Sequence, residues 1–219
     1  MIIILVLGNY LVIDIKGEIM DFLESKTIIN LARTFAGECQ DGARYQFLAD
    51  TATKEGQAYI AEVLKDIATN EMAHAKKVYE YITSKTDEVI KNINIEAGFP
   101  FKSGELVEML GYEIENENSE AESVYPAFAE IARDEGFKDA YNLFMKISEV
   151  EKTHMNILDE IYNGLKNKKL YKCTSAIKWK CSNCGHIGED KIAWNECPLC
   201  GMEQGFIRFT LRNTCGCRQ

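Results

Sequence analysis

The chain reads as a mainly α protein: a four-helix bundle followed by a small four-cysteine metal domain with short β-strands. Three observations predict this. A Glu-x-x-His pattern occurs twice, at Glu71-Met72-Ala73-His74 and Glu151-Lys152-Thr153-His154. Each copy falls on an apolar stripe of helical spacing. Cys181-x-x-Cys184 and Cys197-x-x-Cys200 then present two knuckles separated by twelve residues.

Residues 1–20 read as an N-terminal extension, apolar over Met1–Leu7 and mostly so over Tyr10–Ile15. The run is strand-like and too short to span a bilayer. It lacks the basic n-region and small-residue cleavage site of a secretory signal. No membrane association is expected, and the cytoplasm is the expected compartment. Eight cysteines in a reducing compartment point to metal or redox chemistry before disulfides.

The bundle is expected over 21–166. Its first helix runs from about Ser25 to Thr51, with the stripe Leu31, Phe35, Glu38, Gly42, Tyr45, Ala49. The second, from about Lys54 to Ser84, carries Ile60, Val63, Leu64, Ile67, Glu71, His74, Val78 and Tyr81 on one face. Positions i and i+3 of a helix lie side by side, so Glu71 and His74 point the same way, into the core. A crossover over 85–102 follows. A third helix, about Gly104 to Asp134, has the stripe Leu106, Leu110, Glu113, Glu117, Glu120, Val124, Phe128, Ile131, with a kink expected at Pro126. A fourth, reaching about Lys166, carries Leu143, Ile147, Glu151, His154, Leu158, Ile161 and Leu165.

The two helix pairs form an internal repeat. Glu38 to Glu71 is 33 residues and Glu117 to Glu151 is 34; Glu55-Gly56 and Glu135-Gly136 each begin 16 residues before the Glu-x-x-His. Charged pairs left alone on buried stripes would cost several kcal/mol each. A Glu from each of two helices, with a Glu-x-x-His from each of the other two, is the di-iron or di-manganese carboxylate pattern. By symmetry and spacing, Glu71 and Glu151 bridge the metals, while Glu38 and Glu117 are terminal. His74 and His154 complete the two sites. Glu120 has no counterpart on helix one, where Asp41 stands at that step. Tyr45 and Tyr125 are within reach of ligating carboxylates, although core packing accounts for either alone. Glu113 is expected at a solvent-reaching end of its stripe.

Residues 167–178 read as a polar, Lys-rich linker, 179–210 as the four-cysteine domain and 211–219 as a tail. Cys181, Cys184, Cys197 and Cys200 suit one tetrahedral metal, and iron or zinc both fit. Net charge is −9, which argues against a nucleic-acid partner. Residues 167–219 hold nine Lys/Arg against four Asp/Glu, so residues 1–166 carry −14 against +5. That split favours docking of the two parts, within a chain or between chains. A one-electron iron held by four cysteines could feed a two-electron di-iron centre able to reduce peroxide. No dinucleotide fingerprint is visible, so electrons are expected from a partner protein.

These motifs, with Phe35-Ala36-Gly37-Glu38, Asn70-Glu71-Met72-Ala73-His74, Tyr125-Pro126-Ala127-Phe128-Ala129 and Trp179-Lys180-Cys181, resemble the rubrerythrins over residues 22–209. The resemblance implies a ferritin-like bundle with a rubredoxin-like domain. It implies two non-haem irons, one rubredoxin-type iron, and reduction of hydrogen peroxide to water in oxidative-stress defence. Electrons would come indirectly from NAD(P)H through a donor such as a rubredoxin or its reductase. The assembly would be a homodimer or homotetramer, the rubredoxin iron of one subunit serving the di-iron site of another. Glu120 and His74 would exchange on one iron with redox state, and Tyr45 and Tyr125 would act beside them. An iron-handling or ferroxidase protein, an oxygen-reducing one, or a zinc ribbon on a bundle are the alternatives. Three departures stand out. Cys39 follows Glu38 where Ser is usual and is read as packing. His186 replaces an aromatic residue and is read as an exposed loop residue. Cys215-Gly216-Cys217 is read as a frayed end with free thiols, and Cys173 has no assigned role.

Overall fold

The computed structural model describes residues 12–13, 19–87, 89–90 and 92–211. Val12–Ile13 (β1) pairs antiparallel with Ile19–Met20 (β2); the other residues before Ile19 lie outside the described residues. A short 3-10 turn, Phe22–Glu24, leads into α1 (Lys26–Lys54), whose N-cap Ser25 accepts the Ile28 N–H on its Oγ at 3.1 Å. After Glu55-Gly56, α2 (Ala58–Thr83) packs along α1. The expected crossover carries no helix or strand among its described residues. Then come α3 (Leu106–Ser119), one π-turn (Glu120–Val124), α4 (Tyr125–Asp134) and α5 (Lys138–Lys166). The α3–α4 rod packs on α5.

The third helix is therefore interrupted, and ahead of Pro126. Pro126 sits in the first turn of α4, where a missing N–H is tolerated. The π-turn adds one residue to the helical ladder. Its effect on burial is direct: Leu106, Leu110 and Glu117 are buried as expected, with Glu113 buried beside them, but the core face then shifts one position, to Ala121, Tyr125, Ala129 and Ala132. Val124, Phe128 and Ile131, expected on the stripe, are only half-buried. Smaller corrections of the same kind put Phe144 in the core in place of Leu143, and leave Phe35 37% exposed, its ring 6.0 Å from that of Tyr79.

The extra residue can be located by counting. Tyr45 to Glu55 and Tyr125 to Glu135 are both 10 residues, while Glu38 to Tyr45 is 7 and Glu117 to Tyr125 is 8. The difference between the 33- and 34-residue spacings thus falls within the π-turn.

Each half also seats the other. Glu135 Oε1 and Oε2 accept the backbone N–H groups of Lys26 and Thr27 at 2.9 and 2.8 Å, at the start of α1. Glu55 Oε1 accepts the N–H of Leu106 at 2.8 Å, at the start of α3. Both carboxylates meet the positive end of a helix. Gly56 and Gly136, which follow them, have φ of +72° and +82°.

The C-terminal part is a three-stranded antiparallel sheet in the order β4-β3-β5, from Lys172–Cys181 (β3), Ile187–Ile192 (β4) and Ile207–Arg208 (β5). β3 begins inside the segment expected as a linker. Charge counting hid it, because Lys172, Lys178 and Lys180 occupy one exposed face while Cys173, Ile177, Trp179 and Cys181 alternate toward the interior. The sheet packs on the α1–α2 turn. Trp179, Ile207 and Phe209 share an apolar cluster with Ile60 and Leu64, Tyr171 Oη bonds Gln57 Oε1 at 3.0 Å, and Arg208 meets Glu62 at 3.0 Å. A second apolar cluster, around Phe22, Leu31, Val78 and Phe144, fills the other end of the bundle. The ligand-bearing steps lie between them. No described helix is long and apolar enough to cross a membrane.

Candidate metal centres

Six of the seven bundle residues singled out in the sequence converge. Glu38, Glu71, His74 and Glu151 form one group, and Glu71, Glu117, Glu151 and His154 another, each with its ligand atoms within 4.8 Å of one another. Glu71 and Glu151 belong to both. His74 Nδ1 lies 3.1 Å from Glu38 Oε2, 3.2 Å from Glu71 Oε2 and 3.2 Å from Glu151 Oε1. His154 Nδ1 lies 2.8 Å from Glu151 Oε2, 2.9 Å from Glu71 Oε1 and 3.8 Å from Glu117 Oε2. The four carboxylates and His154 are at most 2% exposed. The carboxamide of Asn70 meets Nε2 of His154 at 3.3 Å, which keeps Nδ1 turned inward.

The electrostatics show a site short of cations. Burial pushes Glu38 and Glu117 well above the ordinary carboxylate range, against the pull of the imidazoles. Burial would lift Glu71 too, but hydrogen bonds from His154 and His74 hold it down to about 2. Burial disfavours the imidazolium of His74 and His154, yet the surrounding carboxylates raise both to about 12. Glu71 Oε1, Glu117 Oε2 and Glu151 Oε1 are buried with no well-aligned hydrogen bond, the crowded imidazole nitrogens being the only donors near them. Buried carboxylate oxygens that outnumber their donors, gathered about a common centre, are what a pair of metal ions would satisfy. Hard carboxylates with imidazole suit iron or manganese.

Tyrosine hydroxyls tie the terminal carboxylates crosswise. Tyr45 Oη donates to Glu117 Oε1, and Tyr125 Oη donates to Glu38 Oε1. Both rings are buried, at 0% and 2% exposure. Each half therefore orients the ligand of the other. Glu120 lies outside both four-residue groups; half-buried, it lines a cavity of about 280 Å³ together with Tyr125. Burial and the charges of Asp41, Glu117 and Glu38 push its carboxyl up.

Sequence reading missed a buried polar cluster beside this cavity. Glu113 does not reach solvent: it is 3% exposed and accepts from Arg44 Nη2 at 3.0 Å. Arg44 also donates to Asp41, itself 4% exposed, and Asn116 Nδ2 donates to Asp41 Oδ1 at 3.3 Å. An Asp-x-x-Arg pair on a helix ordinarily reads as a solvated ion pair. The one signal was that Asp41 stands three residues after Glu38, as Glu120 does after Glu117. Cys39 is half-buried, and burial raises its thiol.

In the C-terminal sheet the four cysteines come together. Cys181 Sγ is 3.8 Å from Cys200 Sγ, and Cys184 Sγ is 3.6 Å from Cys197 Sγ. Metal–sulfur bonds of about 2.3 Å give a tetrahedron with edges of about 3.8 Å, so the sulfurs already stand at ligand spacing. Gly185 and Gly201, at φ of +77° and +71°, let the chain turn directly after each knuckle. The Met202 backbone N–H and the Asn183 amide hold the Cys200 thiol down to about 6. Cys184 accepts the His186 backbone N–H but is pushed up to about 12 by lost hydration and by the neighbouring thiols. His186 is not a free loop residue: its ring packs 5.0 Å from that of Trp194. Cys173 is half-buried in β3, and Cys215 and Cys217 lie outside the described residues.

Comparison with known proteins accounts for both metal centres. The rubrerythrin family model matches residues 30–162, and the rubrerythrin rubredoxin-like domain matches residues 179–206. The chain is 34% identical to a rubrerythrin of Clostridium perfringens over 184 residues, covering 84% of this chain and 93% of that protein. It is 35% identical to a rubrerythrin of Porphyromonas gingivalis, covering 84% and 89%. Among solved structures, nigerythrin in a partially reduced state superposes with a TM-score of 0.57 at 22% identity, covering 90% of this chain and 96% of that one. Bacterioferritin of Desulfovibrio desulfuricans superposes at 0.59 and 22%, covering 66% and 82%. The solved structures carry the ferritin-like fold, and the sequence matches, spread over bundle and four-cysteine domain alike, carry the lineage: the chain belongs to the rubrerythrin family.

Proposed function

We propose that this protein is a non-haem di-iron peroxidase that reduces hydrogen peroxide to water, drawing electrons through its four-cysteine iron. The observation that carries the reading is the pair of ligand groups sharing Glu71 and Glu151, in one chain with a complete four-cysteine site. Glu38 and His74 would hold one iron, Glu117 and His154 the other, with Glu71 and Glu151 bridging. When bound, the two irons supply the two electrons that cleave the O–O bond of peroxide. The chain's own part is positioning and proton handling. Tyr45 and Tyr125 fix the terminal carboxylates by donating to Glu117 and Glu38, so neither can swing away from its site. The apolar clusters close the two ends of the bundle, and a side cavity that Glu120 lines lies between them. Glu120, beside that cavity, would be the carboxylate able to help hold iron in one oxidation state and a proton in the other. A rubredoxin-like donor protein and a homodimer or homotetramer, with electrons crossing between subunits, belong to the same reading.

The test is anaerobic stopped-flow spectroscopy on the reduced, iron-loaded protein. Prompt return of the ferric–thiolate bands with one equivalent of hydrogen peroxide, and slow return with oxygen, is the expected result. Faster return with oxygen would replace the reading by an oxidase or ferroxidase. Protein holding zinc at the four cysteines, and therefore without those bands, would end the electron relay.

A further inference from the structure

The cavity of about 280 Å³ runs from exposed Glu96 and Gly98 of the crossover to buried Tyr125 and to Glu120. Asp41 and Arg44 line its wall between these ends. Asp41 is 4% exposed, yet it belongs to neither metal group. Its two oxygens differ. Oδ1 accepts from Arg44 Nη2 and from Asn116 Nδ2. Oδ2 faces Gly37, another wall residue: a methyl group there would stand 4.0 Å from Oδ2 and 3.9 Å from the Phe99 ring. Oδ1 is thus anchored on two partners, while Oδ2 lies toward Gly37 on the cavity wall.

We propose that Asp41 is a proton-relay residue, carrying protons from solvent through this cavity toward the reacting oxygen beside Glu120. The inference rests on the peroxide-reducing reading above. Reduction of one hydrogen peroxide to two waters consumes two electrons and two protons. The electrons come from the reduced iron sites of that reading. Each proton leaves Oδ2 of Asp41, and the carboxylate takes another from cavity water in exchange with solvent, so Asp41 ends as it began.

The surroundings suit a group that must exist in both forms. Facing Asp41 are Arg44 on its own helix, Glu71 on α2, Glu113 and Asn116 on α3, Glu120 on the π-turn and Glu151 on α5. Burial raises its carboxyl to about 7, Arg44 opposes that rise, and Glu71, Glu113 and Glu151 add to it. The leading cause, burial, does not depend on the charge of the bridging ligands.

The test compares full-length, iron-loaded, reduced wild type with Asp41→Asn, Asp41→Glu and Asp41→Ala. Oxidation by hydrogen peroxide is followed anaerobically from about pH 5 to 9, in H2O and D2O. Loss of a general acid typically costs 10²- to 10⁴-fold; a relay partly bypassed by water should lose on the order of 10- to 100-fold in Asp41→Asn. That variant should also lose the ionisation near pH 7 from its rate profile, while Asp41→Glu keeps most of the rate. Formate should accelerate Asp41→Ala, because an acid small enough for the cavity can replace the missing carboxyl. If Asp41→Asn does not load iron, Asp41→Glu and the formate response decide. Wild-type behaviour in Asp41→Asn, no gain from formate, or equal loss in Asp41→Glu and Asp41→Asn would overturn the relay and leave the peroxidase reading intact. A wild type inert to peroxide would overturn both.

Discussion

The first helix pair and the second carry the same candidate ligands in the same order, yet only the second contains a π-turn. In α1 the ladder is regular, so the step three residues after Glu38 carries Asp41, which binds Arg44 and Asn116 instead of joining a metal group. After Glu117 the ladder widens by one residue, Glu120 opens onto the cavity, and Tyr125 returns to the core face to reach Glu38. Seven residues in one half and eight in the other end at the same crosswise tyrosine contact. The comparison teaches that a single added residue can change what a ligand helix offers solvent while its ligand and its tyrosine stay in place. The symmetric residues form the two candidate metal groups, and the asymmetric Glu120 lines the side cavity.

The largest effect should come from breaking what the halves share. Glu71→Ala removes a ligand common to both groups, so bundle iron should be lost from both sites, leaving about one iron per chain in place of three. Metal analysis, with retained ferric–thiolate absorption, checks this. Next, deleting exposed Glu122 would return the π-turn to α-helical register and give the second half the seven-residue spacing of the first. Iron content should stay near wild type, while peroxide reduction falls roughly tenfold or more, as for loss of a positioned acid–base group. Unchanged turnover would show that the asymmetry is not functional.

A third test uses the metal-free protein, where imidazolium replaces metal in each half. Because His74 and His154 are raised from 6.5 to about 12, their stabilisation is full below pH 6.5 and fades as pH rises toward 12. The raised carboxyls of Glu38, Glu117 and Asp41 act in the same direction, stabilising at acid pH and losing effect as pH rises. Glu71, held at about 2, contributes above about 4.5 and is lost below. The melting temperature of the metal-free protein should therefore peak at about pH 4–5 and fall toward pH 8. A flat profile would show that the imidazolium–carboxylate contacts do not form without metal. The smallest effect concerns the turns. Glu135→Ala frees two backbone N–H groups and the Thr27 hydroxyl, whereas Glu55→Ala frees one N–H. Both should destabilise by about 0.5–2 kcal/mol, Glu135→Ala by more, as read by chemical denaturation.

The candidate ligands were legible because chemistry and period coincide. Glu71/His74 and Glu151/His154 fall on buried stripes, where unpaired charge is untenable, and they do so twice. The π-turn was not legible from period alone, since Glu120, Val124, Phe128 and Ile131 continue a helical stripe as well as Ala121, Tyr125, Ala129 and Ala132 do. Only the 33-against-34 spacing recorded it, and a one-residue difference looks like ordinary loop variation until the turns on either side are aligned. Asp41 and Glu113 were hidden for a different reason. Their partner Arg44 comes from α1, and the fact that it is covered by α3 and the crossover is tertiary information. β3 was obscured because lysines on its outer face dominate the composition of the segment.

The reciprocal seating of helix starts by Glu135 and Glu55 gives the two halves the relation of protomers in an isologous dimer, in which one patch serves as both giver and receiver. A gene encoding a single two-helix unit would have satisfied both contacts by pairing with itself. Joining two copies would then have needed only a connector, the part filled by the crossover, which carries no helix or strand among its described residues. From that point each copy was free to diverge, and a residue could be added to one without being forced on the other. The inserted residue of the π-turn is a change of that kind: a homodimer would have had to accept it twice, whereas a fused chain accepts it once.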